Sequence, residues 1–367
     1  MLNKRLLPSG RVEFHPCSEY LGDGSFVSRI SGQRHLARPG CRIVDAGYLA
    51  PEIPATTPPP FAVSEGARVI PVGELPELEE APPEFVVVGA GKTATDACVW
   101  LLDNGVEPDA ISWVRPREPW MLNRAVIQPD PAAFIGAGAD IMEAAIAASS
   151  ADDLFLRLEA AGVMLRIDRS RVPTMAKTPT LAQWELDLCA AIDGRSSWAT
   201  SASVGGGRIS SAGRRRVAIL RLTVRSSCRC RLPAALPLVP IWSDEAITIQ
   251  PVRAGFPCFG AALIGYAEAT RDTDEDKNRV CHPSPLSDTP ADWMVMQVIG
   301  GRAAQAFNAE PDIREWAGGV ALNPSRIPPE RAGDADVTEA DQRFRATVEG
   351  GIEAMAALAG MGPGDWT

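Results

Sequence analysis

The amino-acid sequence predicts an α/β protein with a mainly parallel sheet covered by helices. One observation is an apolar, β-branched segment at residues 85–88, which stops at a glycine and leads at once into a helix. The other is that strand-like and helix-like segments alternate through residues 85–192 with short connections. The predicted strands are 85–88, 110–114 and 163–167, and the predicted helices are 93–104, 140–148 and 151–161. Such alternation is typical of parallel strands joined by crossover helices.

The turn after the first of these strands carries a recognisable spacing. Gly89, Gly91 and Ala94 reproduce the G-x-G-x-x-G/A pattern of a dinucleotide-binding strand–turn–helix unit. The first glycine permits the tight turn, the second lets a pyrophosphate approach the backbone, and the alanine lets the helix pack close to the strand. An ordinary strand–turn–helix is the alternative, because short glycine patterns also match by chance.

Two polar residues stand beside these small ones at the start of the helix. A helix that begins here points its free N–H groups at a bound phosphate. Thr93 is predicted either to cap the helix or to contact that phosphate. Lys92 either adds positive charge or faces solvent. The predicted cofactor site therefore comprises both of them and the three small residues of the turn.

The end of the second strand favours one nicotinamide cofactor over the other. Arg115 stands where an acidic residue would bind the ribose of NAD, and Arg117 follows closely. Arginine binds a 2′-phosphate well, so the sequence predicts NADP. The alternative is that the two arginines cover the sheet edge or pair with Glu118.

Composition excludes several classes of protein. A chain of 367 residues predicts two domains, and a net charge of −10 argues against nucleic acid as the main partner. No segment is apolar enough to span a membrane and no signal peptide is evident, so we expect a cytoplasmic protein acting on a small molecule of unknown identity. The eight cysteines include no C-x-x-C pair, so dithiol chemistry is not expected. The three histidines are scattered and have no metal-ligand spacing, so no metal site is predicted. The sequence identifies no catalytic residue.

The segments before the α/β unit have a different character. Residues 1–50 are typical of a β-meander, with candidate strands at 11–14, 25–30 and 42–45. Residues 51–84 are rich in proline, which fixes φ and removes a donor, so they predict a stiff, extended crossing between domains. A polyproline ligand for a partner domain is the alternative.

Residues 194–235 do not resemble their surroundings. Nine arginines and no aspartate, glutamate or lysine occur between residues 194 and 243, and the hydrophobic periodicity fades. Three interpretations are open: a basic disordered arm, a solvated loop, or a slip of the coding frame. We favour the frame slip, because reading G+C-rich DNA out of frame yields this composition.

Residues 236–367 mix a glycine-rich apolar stretch with helices. The small residues in 255–266 predict close packing against a backbone or a flat ligand, with a core strand as the alternative. One helix is predicted over residues 290–307, and another from residue 338 that is interrupted at residues 350–351.

The motif at residues 85–96, together with residues 113–117, resembles the NAD(P)H domain of two-dinucleotide flavoproteins such as flavin-containing monooxygenases and pyridine nucleotide-disulfide oxidoreductases. The resemblance implies a Rossmann-like NAD(P)-binding parallel sheet, residues 85–193, inserted in a remnant of a second, FAD-type α/β domain. Residues 43–48 look like a diverged version of the strand by which that family leaves the FAD domain. Residues 1–50 would then be remnant strands of the FAD-type domain, and residues 236–367 its C-terminal return.

One departure from the family bears on the cofactor. The family carries a first G-x-G-x-x-G for FAD near its N-terminus, and this sequence has none before residue 85. The expectation is an N-terminally truncated NAD(P)H-dependent flavoprotein oxidoreductase, monooxygenase-like, in which hydride passes from NADPH to flavin but FAD binding is compromised. A stand-alone NAD(P)-binding module and an inactive fragment of a decayed gene are the alternatives.

Overall fold

A computed structural model describes residues 2–49, 55–58, 68–115, 117–195, 216–220, 237–362 and 364. The protein is mixed α/β, as predicted. Its strands are β1 (Ser18–Tyr20), β2 (Ser25–Ser28), β3 (Arg34–Leu36), β4 (Ile43–Asp45), β5 (Arg68–Pro71), β6 (Glu84–Val88), β7 (Ile111–Val114), β8 (Trp120–Asn123), β9 (Met164–Arg166), β10 (Thr180–Leu181), β11 (Arg216–Leu220) and β12 (Ala246–Thr248).

Five of the nine α-helices among the described residues lie after residue 256. They are α1 (Lys92–Asp103), α2 (Pro131–Ala147), α3 (Ala151–Ala160), α4 (Gln183–Cys189), α5 (Pro257–Thr270), α6 (Asp274–Val280), α7 (Pro290–Ala309), α8 (Pro311–Gly319) and α9 (Ala335–Leu358). Within the part of the chain that the structure describes, none of them combines the length and apolarity that crossing a membrane requires.

A four-stranded parallel sheet lies at the centre of the α/β unit. Its strands lie in the order β5–β11–β6–β7, and every neighbouring pair is parallel. Val87 of β6, Leu101 of α1 and Trp113 of β7 are all buried in one apolar core. The predicted strands at 85–88 and 110–114 and the helix at 93–104 are confirmed to within one residue at each end.

Two strands of this sheet lie where the sequence predicts none. β5 falls inside the proline-rich residues 51–84, so the extended crossing is wrong at Arg68–Pro71. β11 falls inside residues 194–235, where its backbone pairs with β5 and β6. A strand between two parallel neighbours shows a short apolar run without alternation, and the surrounding arginines obscure that run. The other residues of that segment, 196–215 and 221–236, lie outside the described residues, and the frame slip stays a hypothesis.

The predicted strand at 163–167 exists, but it does not join the parallel sheet. β9 pairs antiparallel with β8, and β10 pairs parallel with β8 on the other side. The chain passes from β7 to β8 in five residues, and the described residues among them form no helix. A second small sheet therefore starts at Trp120, and the expectation that the strand at 163–167 belongs to the mainly parallel sheet is wrong.

The N-terminal segment is a meander whose first predicted strand is misplaced. β1, β2 and β3 pair antiparallel in sequence order. Residues 11–14 pair with no described strand, and Val12 and Phe14 remain exposed; the outer strands are Ser18–Tyr20 and Arg34–Leu36 instead. β4 pairs in parallel with β12 and so joins this segment to the C-terminal part of the chain.

One predicted helix begins earlier than expected, and another helix lies where the sequence predicted none. α2 begins at Pro131, not at residue 140, because the Asp130 carboxylate accepts the Ala133 N–H at 2.9 Å and caps a helix that starts with proline. Residues 257–270 form α5, so the alternative of a core strand is wrong. The expected close approach to a backbone is present, since a Cβ on Gly260 would lie 3.3 Å from the Val252 nitrogen.

α9 runs through Gly350 and Gly351 without the predicted interruption. These glycines serve contact with α2: a Cβ on Gly351 would lie 2.6 Å from Met142 Sδ and 2.8 Å from Met142 Cα. Glycine weakens an isolated helix, but here it permits two helices to approach closely. Sequence periodicity alone cannot distinguish these two roles.

Replacing Gly351 by alanine is expected to destabilise the fold by about 1–3 kcal/mol, because the new methyl group would overlap the α2 backbone. Gly265→Ala in α5 is the matched control: nothing lies within 4 Å of its Cβ position, so better helix propensity should stabilise the protein by about 0.5–1 kcal/mol. Urea unfolding measures both. Equal effects of the two substitutions would contradict the close contact.

Candidate functional site

The glycine turn lies at the carboxyl edge of the parallel sheet, where the direction of strand addition reverses. From β6 the chain passes through α1 to β7 on one side, and β11 later pairs on the other side of β6. In open α/β sheets, ligands bind in the crevice outside the carboxyl ends of the strands at such a reversal. The turn at residues 89–91 therefore occupies the position at which a ligand is expected.

Gly89 has a backbone conformation that glycine alone adopts readily. Its φ is +129°, outside the regions open to residues with a side chain. Both of its peptide groups are held: its N–H donates to the Val114 carbonyl at 2.8 Å, and its carbonyl accepts from the Trp113 indole Nε1 at 2.8 Å. Since Trp113 is 1% exposed, the buried end of β7 fixes the shape of the turn.

The helix begins directly after Gly91, which is its N-cap residue with φ −99° and ψ −171°. The Gly91 carbonyl accepts from the N–H groups of Ala94 and Thr95, and Ala94 is completely buried. Among the described residues, nothing accepts a hydrogen bond from the backbone N–H groups of Gly91, Lys92 or Thr93. These three donors are the groups that a phosphate at a helix N-terminus would bind.

Lys92 joins α1 to α4. Its ammonium donates to Glu185 Oε1 at 2.9 Å and also contacts the Asp96 carboxylate. Glu185 is 4% exposed, accepts from the Ala182 N–H at 2.8 Å and forms an ion pair with Arg124 at 3.3 Å. Burial acts to raise the pKa of Glu185, but these hydrogen bonds and cations outweigh it and hold the pKa below its usual value. The Lys92 charge is therefore engaged within the protein.

Thr93 lies one residue inside the helix, so the alternative that it caps the helix is wrong. Its side chain is half-buried on the first turn. The hydroxyl of the next threonine, Thr95, donates to the Lys92 carbonyl at 2.6 Å and supports that turn. A contact between Thr93 and a bound phosphate remains a prediction.

Arg115 is buried beside Glu118. Its Nε donates to Glu118 Oε1 at 2.9 Å, and Asp168 lies 3.9 Å from the guanidinium. The guanidinium also stands 4.7 Å from the centre of the Trp113 ring. Burial raises the pKa of Glu118, which Arg115 opposes. Arg115 therefore pairs with Glu118, which is the alternative to binding a 2′-phosphate that the sequence left open.

Arg117 has different partners. Its guanidinium donates to Asp288 at 2.8 Å and to the Thr174 carbonyl at 2.5 Å, and its side chain is 23% exposed. Asp288 also binds Lys177 at 3.3 Å. Arg117 therefore ties the end of β7 to the loop before α7, and its partly exposed face remains accessible.

The structure brings Gly89, Gly91, Lys92, Thr93 and Ala94 into one turn, whereas the two arginines extend to separate partners. The acids Glu185 and Asp288 were not anticipated as neighbours of the site. Neither could have been found locally, because Glu185 lies 93 residues from Lys92 and Asp288 lies 171 residues from Arg117. Only the fold brings these segments together.

Comparison with known proteins yields relatives of unassigned function. The chain is 35% identical over 333 residues to uncharacterized proteins of Mycobacterium tuberculosis and Mycobacterium bovis. The aligned region covers 88% of this chain and 60% of each relative, so the chain spans about 60% of the length of the curated relatives it matches. No protein-family profile matches the chain, and no solved structure gives a significant match.

Proposed function

We propose that this protein is an NAD(P)H-dependent oxidoreductase chain of the flavoprotein type, and that the glycine turn binds the pyrophosphate of the nicotinamide cofactor. The observation that carries the proposal is the turn itself. A glycine at φ +129° ends a central parallel strand, and a helix of 12 residues begins three residues later. Three N–H donors at its start, those of residues 91–93, have no acceptor in the part of the chain that the structure describes. Backbone donors and a helix dipole that converge in this way favour a bound diphosphate.

NADP is proposed in preference to NAD. The end of β7 carries two arginines and no acid that would accept a ribose 2′-hydroxyl. Arg117 is the better candidate for the 2′-phosphate, because its side chain is 23% exposed whereas that of Arg115 is 1% exposed. Arg115 would then have a supporting role, because its hydrogen bond to Glu118 holds the end of the strand in place.

FAD is implied only by the family resemblance. The described residues of the N-terminal segment include the meander β1–β3 and the strand β4, and the sequence of this segment contains no G-x-G-x-x-G turn for an FAD diphosphate. The residues present do not fit that group, so no step is assigned to a flavin. Weak or absent FAD binding is the expected result for this chain.

A stand-alone NAD(P)-binding module that does not turn over substrate is the second candidate. The glycine turn at residues 89–91 would be its binding site, and no flavin would be required. Such a module and the oxidoreductase chain share the nicotinamide site and differ in whether a flavin is held.

Titration of the purified chain with NADPH and NADH, followed by tryptophan fluorescence and a visible spectrum, tests the proposal. NADPH should bind roughly ten- to a hundredfold more tightly than NADH, as expected for one charge-assisted contact of about 1.5–3 kcal/mol. Failure to bind either nucleotide would overturn the site. Equal affinities would overturn the NADP preference alone, and stoichiometric flavin absorbance would overturn the expectation of weak FAD binding.

A further inference from the structure

Arg253 lies in the loop between β12 and α5, far along the chain from the glycine turn. Its Nη2 donates to Ser325 Oγ at 2.7 Å, and its guanidinium stands 5.8 Å from the centre of the Phe256 ring. Its Nε is buried and has no hydrogen-bond acceptor among the described residues. This cation is therefore held in a defined position with part of its donor capacity unused.

No described carboxylate pairs with this guanidinium. Burial alone lowers the pKa of Arg253 to about 10, and no acidic neighbour opposes the shift. Arg343 shows the usual arrangement in this protein, since it binds both Asp140 and Glu143. Charged groups taken out of water are normally paired, because an unpaired charge is costly there. Arg253 is half-buried as a whole, and its Nε is fully out of water. The missing counter-charge at Arg253 therefore points to an anion from outside the described protein residues.

The surroundings of Arg253 suit an anion. The loop ends at Phe256, which is the N-cap residue of α5. Helix α5 has 14 residues, so the positive end of its dipole lies next to this loop. A second polar group nearby is also unused: Ser284 is completely buried, and no described residue hydrogen-bonds to its Oγ. The Ser284 backbone N–H donates to the Pro251 carbonyl at 2.6 Å, so this serine lies against the same loop.

The loop is also rigidly supported. A Cβ on Gly300 of α7 would lie 2.6 Å from Ala254 Cβ and 3.2 Å from Ser284 Oγ, so helix, loop and serine are in close contact. Phe256 packs edge-on against Phe134, with ring centroids 5.2 Å apart. A site with this support needs little reordering when an anion arrives.

We propose that residues 252–256 and the first turn of α5 bind an oxyanion of a small-molecule ligand, with Arg253 as its counter-charge. The guanidinium fork supplies two N–H donors to a phosphate or carboxylate oxygen pair, and the helix N-terminus supplies the favourable field. The residues of this site are different from those of the glycine turn, and the proposal does not depend on the function proposed above.

Thermal unfolding and calorimetric titration of the full chain test this proposal, with inorganic phosphate, ADP and succinate as probes and sodium chloride at matched ionic strength as the reference. At least one oxyanion should raise the unfolding temperature above the chloride value. The probe that raises the unfolding temperature most shows whether the site prefers free phosphate, a nucleotide diphosphate or a dicarboxylate. Arg253→Gln should weaken binding of that probe roughly ten- to a hundredfold, and Arg253→Lys should weaken it less.

Two controls separate this site from others. Arg279→Gln removes an equal charge from an exposed arginine paired with Glu310 and should leave anion binding unchanged. Gly89→Ala should abolish NADPH binding at the glycine turn and preserve the response to the oxyanion. The proposal is overturned if no oxyanion stabilises the native protein beyond chloride, or if Arg253→Gln binds the probe as tightly as the native chain does. The comparison of oxyanions with chloride uses the native protein, so it remains a valid test even if Arg253→Gln fails to fold.

Discussion

Replacing Gly89 by alanine should abolish NADPH binding and lower the free energy of unfolding by about 1–3 kcal/mol. The reason is its φ of +129°, which a residue with a Cβ reaches only under strain of that size. Relief of the strain would move the carbonyl that accepts from Trp113 and the N–H that donates to Val114. The donors at the start of α1 would then no longer converge on one point. Fluorescence titration with NADPH and urea unfolding measure the two effects.

Gly91→Ala separates binding from stability. Gly91 has an extended backbone, φ −99° and ψ −171°, that any residue adopts, so alanine brings no conformational strain there. A methyl group would nevertheless stand where a pyrophosphate approaches the turn. We expect Gly91→Ala to weaken NADPH binding strongly without the backbone strain of Gly89→Ala. Unchanged NADPH affinity in both variants would show that the turn is structural.

The second large effect is expected at the buried pair of Arg115 and Glu118. Arg115→Met should destabilise the fold by about 3–5 kcal/mol at neutral pH, because it leaves the 4%-exposed Glu118 carboxylate without its cation. Methionine retains much of the apolar packing against Trp113, so the loss reports the charge more than the volume. The free energy of unfolding in urea measures it.

The stability loss of Arg115→Met should depend on pH. Burial raises the pKa of Glu118, and loss of Arg115 should raise it further. An acid whose pKa is higher in the folded than in the unfolded state favours folding below the unfolded pKa, and this advantage is lost as the pH rises through the folded pKa. The deficit of Arg115→Met should therefore be smaller at pH 5 than at pH 7.5.

A double variant provides the control. Arg115→Met combined with Glu118→Gln removes the charge as well as its partner and should recover a large part of the lost stability, since replacing a whole buried pair is often neutral. If the double variant is no more stable than the single one, Glu118 is not the source of the penalty. A comparison of NADPH with NADH in the stable double variant then tests whether Arg115 influences the choice of cofactor.

Local sequence was sufficient for the features whose determinants lie within a few residues of each other. The strand at 84–88, the turn at 89–91 and the helix from Lys92 all follow from an apolar run, two glycines and helical periodicity. The cap of α3 is similar: the Ser150 hydroxyl accepts the Asp153 N–H, and the two residues are only three positions apart. Such features depend on φ preferences and on hydrogen bonds of short range.

Features that depend on distant partners were missed or misjudged. The low helix propensity of Gly351 predicted an interruption of the helix. In the fold the helix continues, and the glycine allows Met142 of another helix to pack closely against it. β9 has the pattern of a strand, but its pattern does not reveal that its partner is β8 and not the central sheet. β11 joins the central sheet through pairing with two strands that precede it by more than a hundred residues. Pairing of this kind leaves little local signal.

The sequence by itself therefore determined the glycine turn and the orientation of its helix, because glycine's conformational freedom and the start of a helix are properties of adjacent residues. Only the tertiary structure decided what the charged groups around the turn do. Lys92 is bound by Glu185, Arg115 by Glu118 and Arg117 by Asp288, whereas Arg253 has no described acid beside it. A side chain's charge can be read from its identity, but whether that charge is satisfied depends on which distant segment folds against it.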